Sequence, residues 1–134
     1  MKKIGFTNGC FDILHVGHLK LIEYCKSFCD HLIIGIDSDI MVQEAKGPDR
    51  PFNFEHDRKY FLENIKNVDE VFIFNSHKEL EQKIKKIQPD IMIVGSDYRN
   101  KPVVGSEFAK QLKFFDKIDG YSTTKILQNI TDRG

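Results

Sequence analysis

Short apolar runs, each cut off from the next by a helix-patterned segment, set the architecture of this chain. Residues 31–37, 71–74 and 91–95 carry Leu-Ile-Ile-Gly-Ile, Val-Phe-Ile-Phe and Ile-Met-Ile-Val-Gly without polar alternation, and a shorter apolar opening occupies residues 2–7. A strand with one face in water alternates with period two, whereas a strand buried on both faces reads as such a run. These segments therefore belong to a parallel sheet with helices on both sides, an α/β fold. Neighbouring parallel strands need crossover connections, and the intervening segments supply them. Helices are predicted over residues 16–28, around 40–42 with Ser38 or Asp39 as cap, over 54–67, from Asn75 or Ser76 to Ile87, and over 103–113. Along 54–67, Tyr60, Phe61, Ile65 and Val68 are expected on the apolar side, with Arg58, Lys59, Glu63 and Lys66 mostly outward. Phe114 and Phe115 read as a last strand-like segment, and a closing helix starts at Ser122. By length the 134 residues make a single domain, 1–134.

Between the first strand and the first helix lies Gly5-Phe6-Thr7-Asn8-Gly9-Cys10-Phe11-Asp12-Ile13-Leu14-His15-Val16-Gly17-His18. The first-turn amides of a helix have no intrahelical partner and carry partial positive charge, so they suit a phosphate. His15 and His18, three residues apart, fall on the same side of that turn and aim donors at one anion, and Gly17 lets a ligand come close. Taken singly, either histidine is equally an ordinary helix-start residue. Gly95-Ser96-Asp97-Tyr98 reaches the same sheet edge at the carboxyl end of the fourth strand, and Ser122-Thr123-Thr124 offers hydroxyls at a second helix start. Lys46-Gly47-Pro48-Asp49-Arg50-Pro51, broken by two prolines and a glycine, is either a loop that closes over a ligand or a solvated turn.

Lysine plus arginine and aspartate plus glutamate both total 20, so net charge gives no ground for nucleic acid or an anionic membrane as partner. Any anion site has to be local. No apolar run approaches the roughly 20 residues that span a bilayer, and Met1-Lys2-Lys3 leads straight into the first strand, so a cytoplasmic protein is expected. Three cysteines, at 10, 25 and 29, make no disulfide framework and fit a reducing compartment. Cys25, Cys29 and His31 can be drawn as metal ligands, but a fourth is missing and the two thiols lie one helical turn apart. They are read as packing residues, and no metal site is assigned.

The pattern Gly9-x-Phe11-Asp12-x-x-His15-x-Gly17-His18 resembles the signature of the HxGH nucleotidyltransferases, in particular their cytidylyltransferase-like group. The resemblance runs along nearly the whole chain. It implies a single-domain Rossmann-like open parallel sheet flanked by helices, with His15, His18 and Lys46 as catalytic residues. It further implies nucleotide contacts from Thr7, Asn8, Gly9, Cys10, Phe11, Gly17, Arg58, Gly95, Asp97, Ser122, Thr123 and Thr124. Arg58 and the hydroxyl turn would hold the β- and γ-phosphates, and Asp12, Asp39 and Arg50 would face the acceptor. Mg2+ is expected to ride on the nucleoside triphosphate, with Asp12 as its protein contact. In such a reaction a phosphate oxygen of the acceptor attacks the α-phosphorus in line and pyrophosphate leaves; the protein supplies donors and charge rather than a nucleophile.

Two branches of the family compete for the substrates. Val68-Asp69-Glu70-Val71 is similar to the glycerol-3-phosphate cytidylyltransferases, but those place an arginine before the closing Gly-x-Ser-Thr-Thr, where Ile118-Asp119 stands here. The stretches 46–53, Gly95-Ser96-Asp97-Tyr98, 103–107 and Asp119-Gly120-Tyr121-Ser122-Thr123-Thr124 are similar to the adenylyltransferases that act on heptose 1-phosphate in lipopolysaccharide precursor synthesis. ATP and a sugar 1-phosphate are the expected pair, with CTP and glycerol 3-phosphate as the alternative and a non-catalytic nucleotide-binding module as the remaining class. A homodimer is also expected, from an apolar opening strand and a helix rich in Phe and Tyr in a chain with 11 phenylalanines. The resemblance places the subunit contact near the phosphate-binding loop.

Overall fold

The computed structural model of the chain describes residues 2–116 and 123–133. Its centre is a sheet of β1 (Ile4–Gly9), β2 (His31–Asp37), β3 (Glu70–Phe74), β4 (Ile91–Gly95) and β5 (Gln111–Phe115), in the order β3-β2-β1-β4-β5. Every neighbouring pair is parallel. Helices α1 (Val16–Lys26), α2 (Asp39–Lys46), α3 (Glu55–Glu63) and α4 (His77–Ile87) lie between strands, and α5 (Thr123–Arg133) follows β5. The open parallel sheet expected from the apolar runs is present, and β2 shows why the runs are continuous. Leu32, Ile34 and Ile36 pack on one face with Ile22 and Cys25 of α1 and Leu62 of α3, while Ile33 packs on the other with Leu80 and Ile84 of α4.

The chain builds outward from β1 through β2 to β3, then crosses back to add β4 and β5 on the other side. Open α/β sheets bind ligands where the strand order reverses in this way, here between β1 and β4. The two strands separate early. β1 follows β2 from Ile4↔His31 to Gly9↔Ile36, but pairs with β4 only at Gly5↔Ile91 and Phe6↔Met92. Beyond that point the Thr7 hydroxyl takes over, donating to the Ile93 carbonyl at 2.8 Å.

Several boundaries differ from those read in the sequence. β1 extends to Gly9, α1 stops at Lys26, and α3 ends at Glu63 with residues 64–68 turning through Ile65 N–H to Leu62 O and Val68 N–H to Ile65 O. The face expected along 54–67 holds only in part: Ile65 and Val68 pack on the core and Glu63 and Lys66 face outward, but Arg58 is inside with Leu62, while Tyr60 and Phe61 are 67% and 51% exposed. Residues 103–113 do not form a helix. One 3-10 turn at Ser106–Phe108 leads into β5, whose Leu112 and Phe114 cover one face of the sheet and whose Phe115 covers the other. Alternation of this kind is a strand pattern. Gly105 makes the passage over α4 possible, since its φ is +80° and a Cβ there would stand 2.5 Å from Ile84 Cδ1. Ser38 and Ser76 are the residues that cap α2 and α4, accepting from Met41 N–H and Glu79 N–H.

The cysteine pair serves packing. Cys25 is buried, burial pushes its thiol up to about 12, and the Cys29 thiol donates to the Cys25 carbonyl at 3.4 Å. His31 is engaged with Glu70 at 2.6 Å.

Candidate active site

The loop that follows β1 is held in an unusual backbone conformation. Phe11 and Ile13 have φ of +52° and +47°, a region that β-branched residues rarely enter and that persists only where the surroundings enforce it. In this loop the positive φ falls on these two non-glycine residues and not on Gly9 or Gly17. Phe11 enforces its own position by packing into the core. Asp12 does the rest: Oδ2 accepts from Phe52 N–H at 2.6 Å, Oδ1 accepts from Asn53 N–H at 2.8 Å, and Arg50 Nε stands 3.9 Å away. At 1% exposure this carboxylate clamps the loop to residues 50–53. Each oxygen of Asp12 thus serves a backbone amide, a structural role in addition to the acceptor and Mg2+ contacts expected of it.

His15 caps α1 with an extended backbone, and its N–H donates to Nδ1 of His18 at 3.2 Å. The two imidazoles stack with centroids 3.9 Å apart and planes 30° from parallel, and the Phe11 ring lies 5.3 Å from His18. A ring nitrogen that accepts a backbone hydrogen bond carries no proton, so neutral His18 bears its hydrogen on Nε2. Burial first, and the neighbouring His15 next, bring the pKa of His18 down to about 4, with Lys46 adding to the effect and Asp12 opposing it. Burial also lowers the pKa of His15. Near neutrality the pair therefore acts through neutral N–H donors. The amides of Val16 and Gly17 open the helix beside them without intrahelical acceptors.

Lys46 is the last residue of α2 rather than part of the loop after it, and it is exposed. Its charge is felt at His18, Cys10 and Asp37, which locates it over the loop after β1. Burial pushes the Cys10 thiol up, and Lys46 and Arg58 pull it back down.

Arg58 is in a different place from the one expected. It is 1% exposed, and its guanidinium donates from Nε to the Asn53 carbonyl (2.9 Å), from Nη1 to the carbonyls of Cys10 (2.9 Å) and Asp37 (2.8 Å), and from Nη2 to Asp39 Oδ1 (2.9 Å). A phosphate ligand must present its donors outward, and these point into the protein. Asp39, expected to face the acceptor, is the charge partner of that guanidinium instead. Four segments of chain thereby meet on one side chain. Sequence reasoning missed this frame; the available signal was a cation one helical turn before Leu62, on the face that turns inward.

Because all strands run the same way, their carboxyl ends share one edge. The structure gathers Asn8, Gly9, Cys10, His15, Gly17, His18 and Lys46 there, with Gly95 closing β4 and Asp97 in the 3-10 turn Ser96–Tyr98. It turns Thr7, Phe11, Asp12 and Arg58 inward, leaves Asp39 partly exposed against Arg58, and keeps Arg50 largely covered beside Asp12. Thr123 begins α5, whereas Ser122 and the side chains of Thr123 and Thr124 lie outside the described residues.

An open sheet of this strand order, with a histidine pair at the helix start beside its switch point, is the nucleotidyltransferase form of the Rossmann-like fold. The chain belongs to the cytidylyltransferase-like family, whose profile matches residues 6–129. Among curated proteins it is 51% identical to the bifunctional protein HldE of Sulfurimonas denitrificans, over 96% of this chain and 27% of that protein. It is 46% identical to HldE of Campylobacter fetus, over 96% of this chain and 28% of that one. It thus spans little more than a quarter of the length of these relatives. Among solved structures, a lipopolysaccharide core biosynthesis protein from Thermoplasma volcanium matches with a TM-score of 0.73 at 23% identity, covering 89% of this chain and 100% of that one. A pantothenate synthetase from Thermus thermophilus matches with a TM-score of 0.62 at 14% identity, covering 98% and 66%. At such identities the likeness is one of fold.

Proposed function

We propose that the chain transfers the adenylyl group of MgATP to a heptose 1-phosphate, giving ADP-heptose and pyrophosphate. The observation that carries this reading is the stacked His15–His18 pair at the start of α1, beside the β1–β4 crevice and under the charge of Lys46. A phosphate oxygen of the sugar forms the new bond to the α-phosphorus while the bond to the departing pyrophosphate breaks. His18 Nε2–H and the His15 ring donate to the α-phosphate oxygens, and Lys46 spans the two reacting phosphates, so the developing charge meets donors already in position. With Arg58 enclosed, the β- and γ-phosphates are assigned to Ser122, Thr123 and Thr124. Mg2+ belongs to the nucleotide in this reading, and both Asp12 oxygens also hold backbone amides.

The choice of ATP and heptose rests on the identity to the HldE proteins and on the matching stretches at 46–53 and 95–107. Pyrophosphate release tests it directly. ATP with heptose 1-phosphate is expected to release pyrophosphate at least tenfold faster than CTP with glycerol 3-phosphate, the discrimination that roughly 1.4 kcal/mol supplies. The reverse preference moves the protein to the glycerol branch. Nucleotide binding without release for any acceptor makes it a binding module.

A homodimer and a cytoplasmic location belong to the same proposal. β1 is not the source of spare apolar surface, because it lies at the middle of the sheet. The source is residues 52–61, where Phe52, Phe54, Tyr60 and Phe61 are 64%, 65%, 67% and 51% exposed next to the segment that Asp12 clamps. Sedimentation at micromolar concentration is expected to show a dimer whose specific activity falls on dilution; a fully active monomer overturns the idea. Among the described residues no helix is long and apolar enough to cross a membrane. The location is inferred from the free thiols at 10, 25 and 29 and from the nucleotide substrate.

A further inference from the structure

On the β2 side of the edge where anionic substrates bind stand the carboxylates of Asp12, Asp37 and Asp39, and each works against a phosphate unless something else requires it. Asp12 holds two amides and Asp39 holds Arg58. Asp37 is different. Its backbone is fully used, pairing with Phe74 in the β2–β3 ladder and accepting from Arg58 Nη1 at 2.8 Å. Its side chain makes no hydrogen bond or ion pair with any described residue, although it is half-buried at the carboxyl end of β2. Burial raises its pKa, against the pull of Arg58, Lys46 and His77, and its charge is felt at Cys10 in the loop after β1. The carboxylate therefore stands at the carboxyl end of β2, within electrostatic reach of that loop and of the cation assigned to both reacting phosphates.

We propose that Asp37 is the acceptor-specificity residue, its carboxylate taking hydrogen bonds from hydroxyl groups of the phosphorylated sugar while the sugar's phosphate lies toward Lys46. This rests on the sugar-phosphate reading above. The side of the sheet supports it: Gly95 ends β4 and Asp97 lies in the 3-10 turn after it, across the crevice, whereas Asp37 lies on the β2 side of β1. The chemistry supports it too. An ionised carboxylate only accepts, and the uncharged donors of a sugar phosphate are its hydroxyls. A hydroxyl bonded to a half-buried carboxylate is a strong, charge-assisted contact, and a ligand without that hydroxyl leaves the carboxylate unmatched.

The test compares wild type with Asp37→Ala and Asp37→Asn. Heptose 1-phosphate is titrated calorimetrically into protein loaded with Mg2+ and a non-hydrolysable ATP analogue, alongside steady-state KM values. Asp37→Ala is expected to weaken sugar-phosphate binding about tenfold to a hundredfold, the range for losing a hydrogen bond to a charged group, and Asp37→Asn less, since it keeps one acceptor oxygen. Affinity for the analogue stays within twofold, and both variants keep the wild-type melting temperature because the side chain bonds none of the described residues. A deoxy sugar phosphate lacking the recognised hydroxyl brings wild type and Asp37→Ala together. Unchanged sugar-phosphate affinity overturns the proposal, as does weakened analogue binding or a shifted Mg2+ requirement with the sugar unaffected. If wild type takes glycerol 3-phosphate instead of the heptose, the substrate reading fails while Asp37 is judged by the same criterion on the glycerol hydroxyls. A wild type that binds no phosphorylated polyol overturns both.

Discussion

Replacing Arg58 with alanine is expected to lower the unfolding free energy by about 3–5 kcal/mol, as removal of one member of a buried charge pair does. That is a large share of the 5–15 kcal/mol typical of a whole domain. The side chain is enclosed, and truncation would strand the carbonyls of Cys10, Asp37 and Asn53 together with the carboxylate of Asp39. Lysine is expected to restore little, because a single ammonium on a flexible stem does not span the positions that the planar fork reaches. Urea denaturation followed by circular dichroism decides the matter. An Arg58→Ala protein with the wild-type midpoint and lost nucleotide affinity would return this residue to the phosphates.

His18→Ala is expected to do the opposite, leaving the fold nearly intact while turnover drops a hundredfold to a thousandfold, the effect of removing one preorganised donor to developing charge. The fold loses the His15 N–H to Nδ1 bond, roughly 1 kcal/mol on the scale of helix caps, together with the ring contacts to His15 and Phe11. The pH dependence follows from the same ring. With its pKa brought from 6.5 to about 4, His18 stays neutral through the usual histidine range, so kcat/KM should show no limb from it near 6.5 and turn down only toward 4. Stability moves the same way. Between 6.5 and 4 the unfolded chain takes up a proton that the folded ring refuses, so the contribution is complete above 6.5 and is lost as pH falls through that window. Normal turnover in a folded His18→Ala protein, or a limb at 6.5 that this variant abolishes, would remove the assignment.

What could be read from the sequence was whatever depends on near neighbours. Leu32 to Ile36 announce a doubly covered strand, and His15 and His18 announce a shared helix turn, because both patterns are short-range. Arg58 was unreadable for the reason that charged residues usually face water. Its burial depends on carbonyls from segments up to 48 residues away, a convergence that only the tertiary fold creates. The same holds for Asp12, whose partners lie 40 and 41 residues on, and whose place in the family pattern looked like a ligand contact. Residues 103–113 failed differently: a strand at the sheet edge shares its apolar content with a helix, and only its pairing with β4 decides between them. In the sequence Asp37 is the end of a strand and no more, since a carboxylate becomes notable only once its neighbours are seen to be bonded and its own oxygens meet no donor among the described residues.

The seam between β1 and β4 has a bearing on how the protein is made. Strand β1 is the first strand of this fold to be synthesised, yet it occupies the middle of the sheet and waits 86 residues for the partner that Thr7 finally grips. Chains emerge N-terminus first and can organise what has already appeared. The strands β3, β2 and β1 with their helices, and with them the Arg58 hub and the Asp12 clamp, are all encoded before residue 75, whereas the opposite wall of the crevice begins only at Ile91. Until then the histidines have a frame but no cleft, so a chain cut short before β4 carries His15, His18 and Lys46, the residues proposed to act in transfer, with only one wall of the crevice beside them.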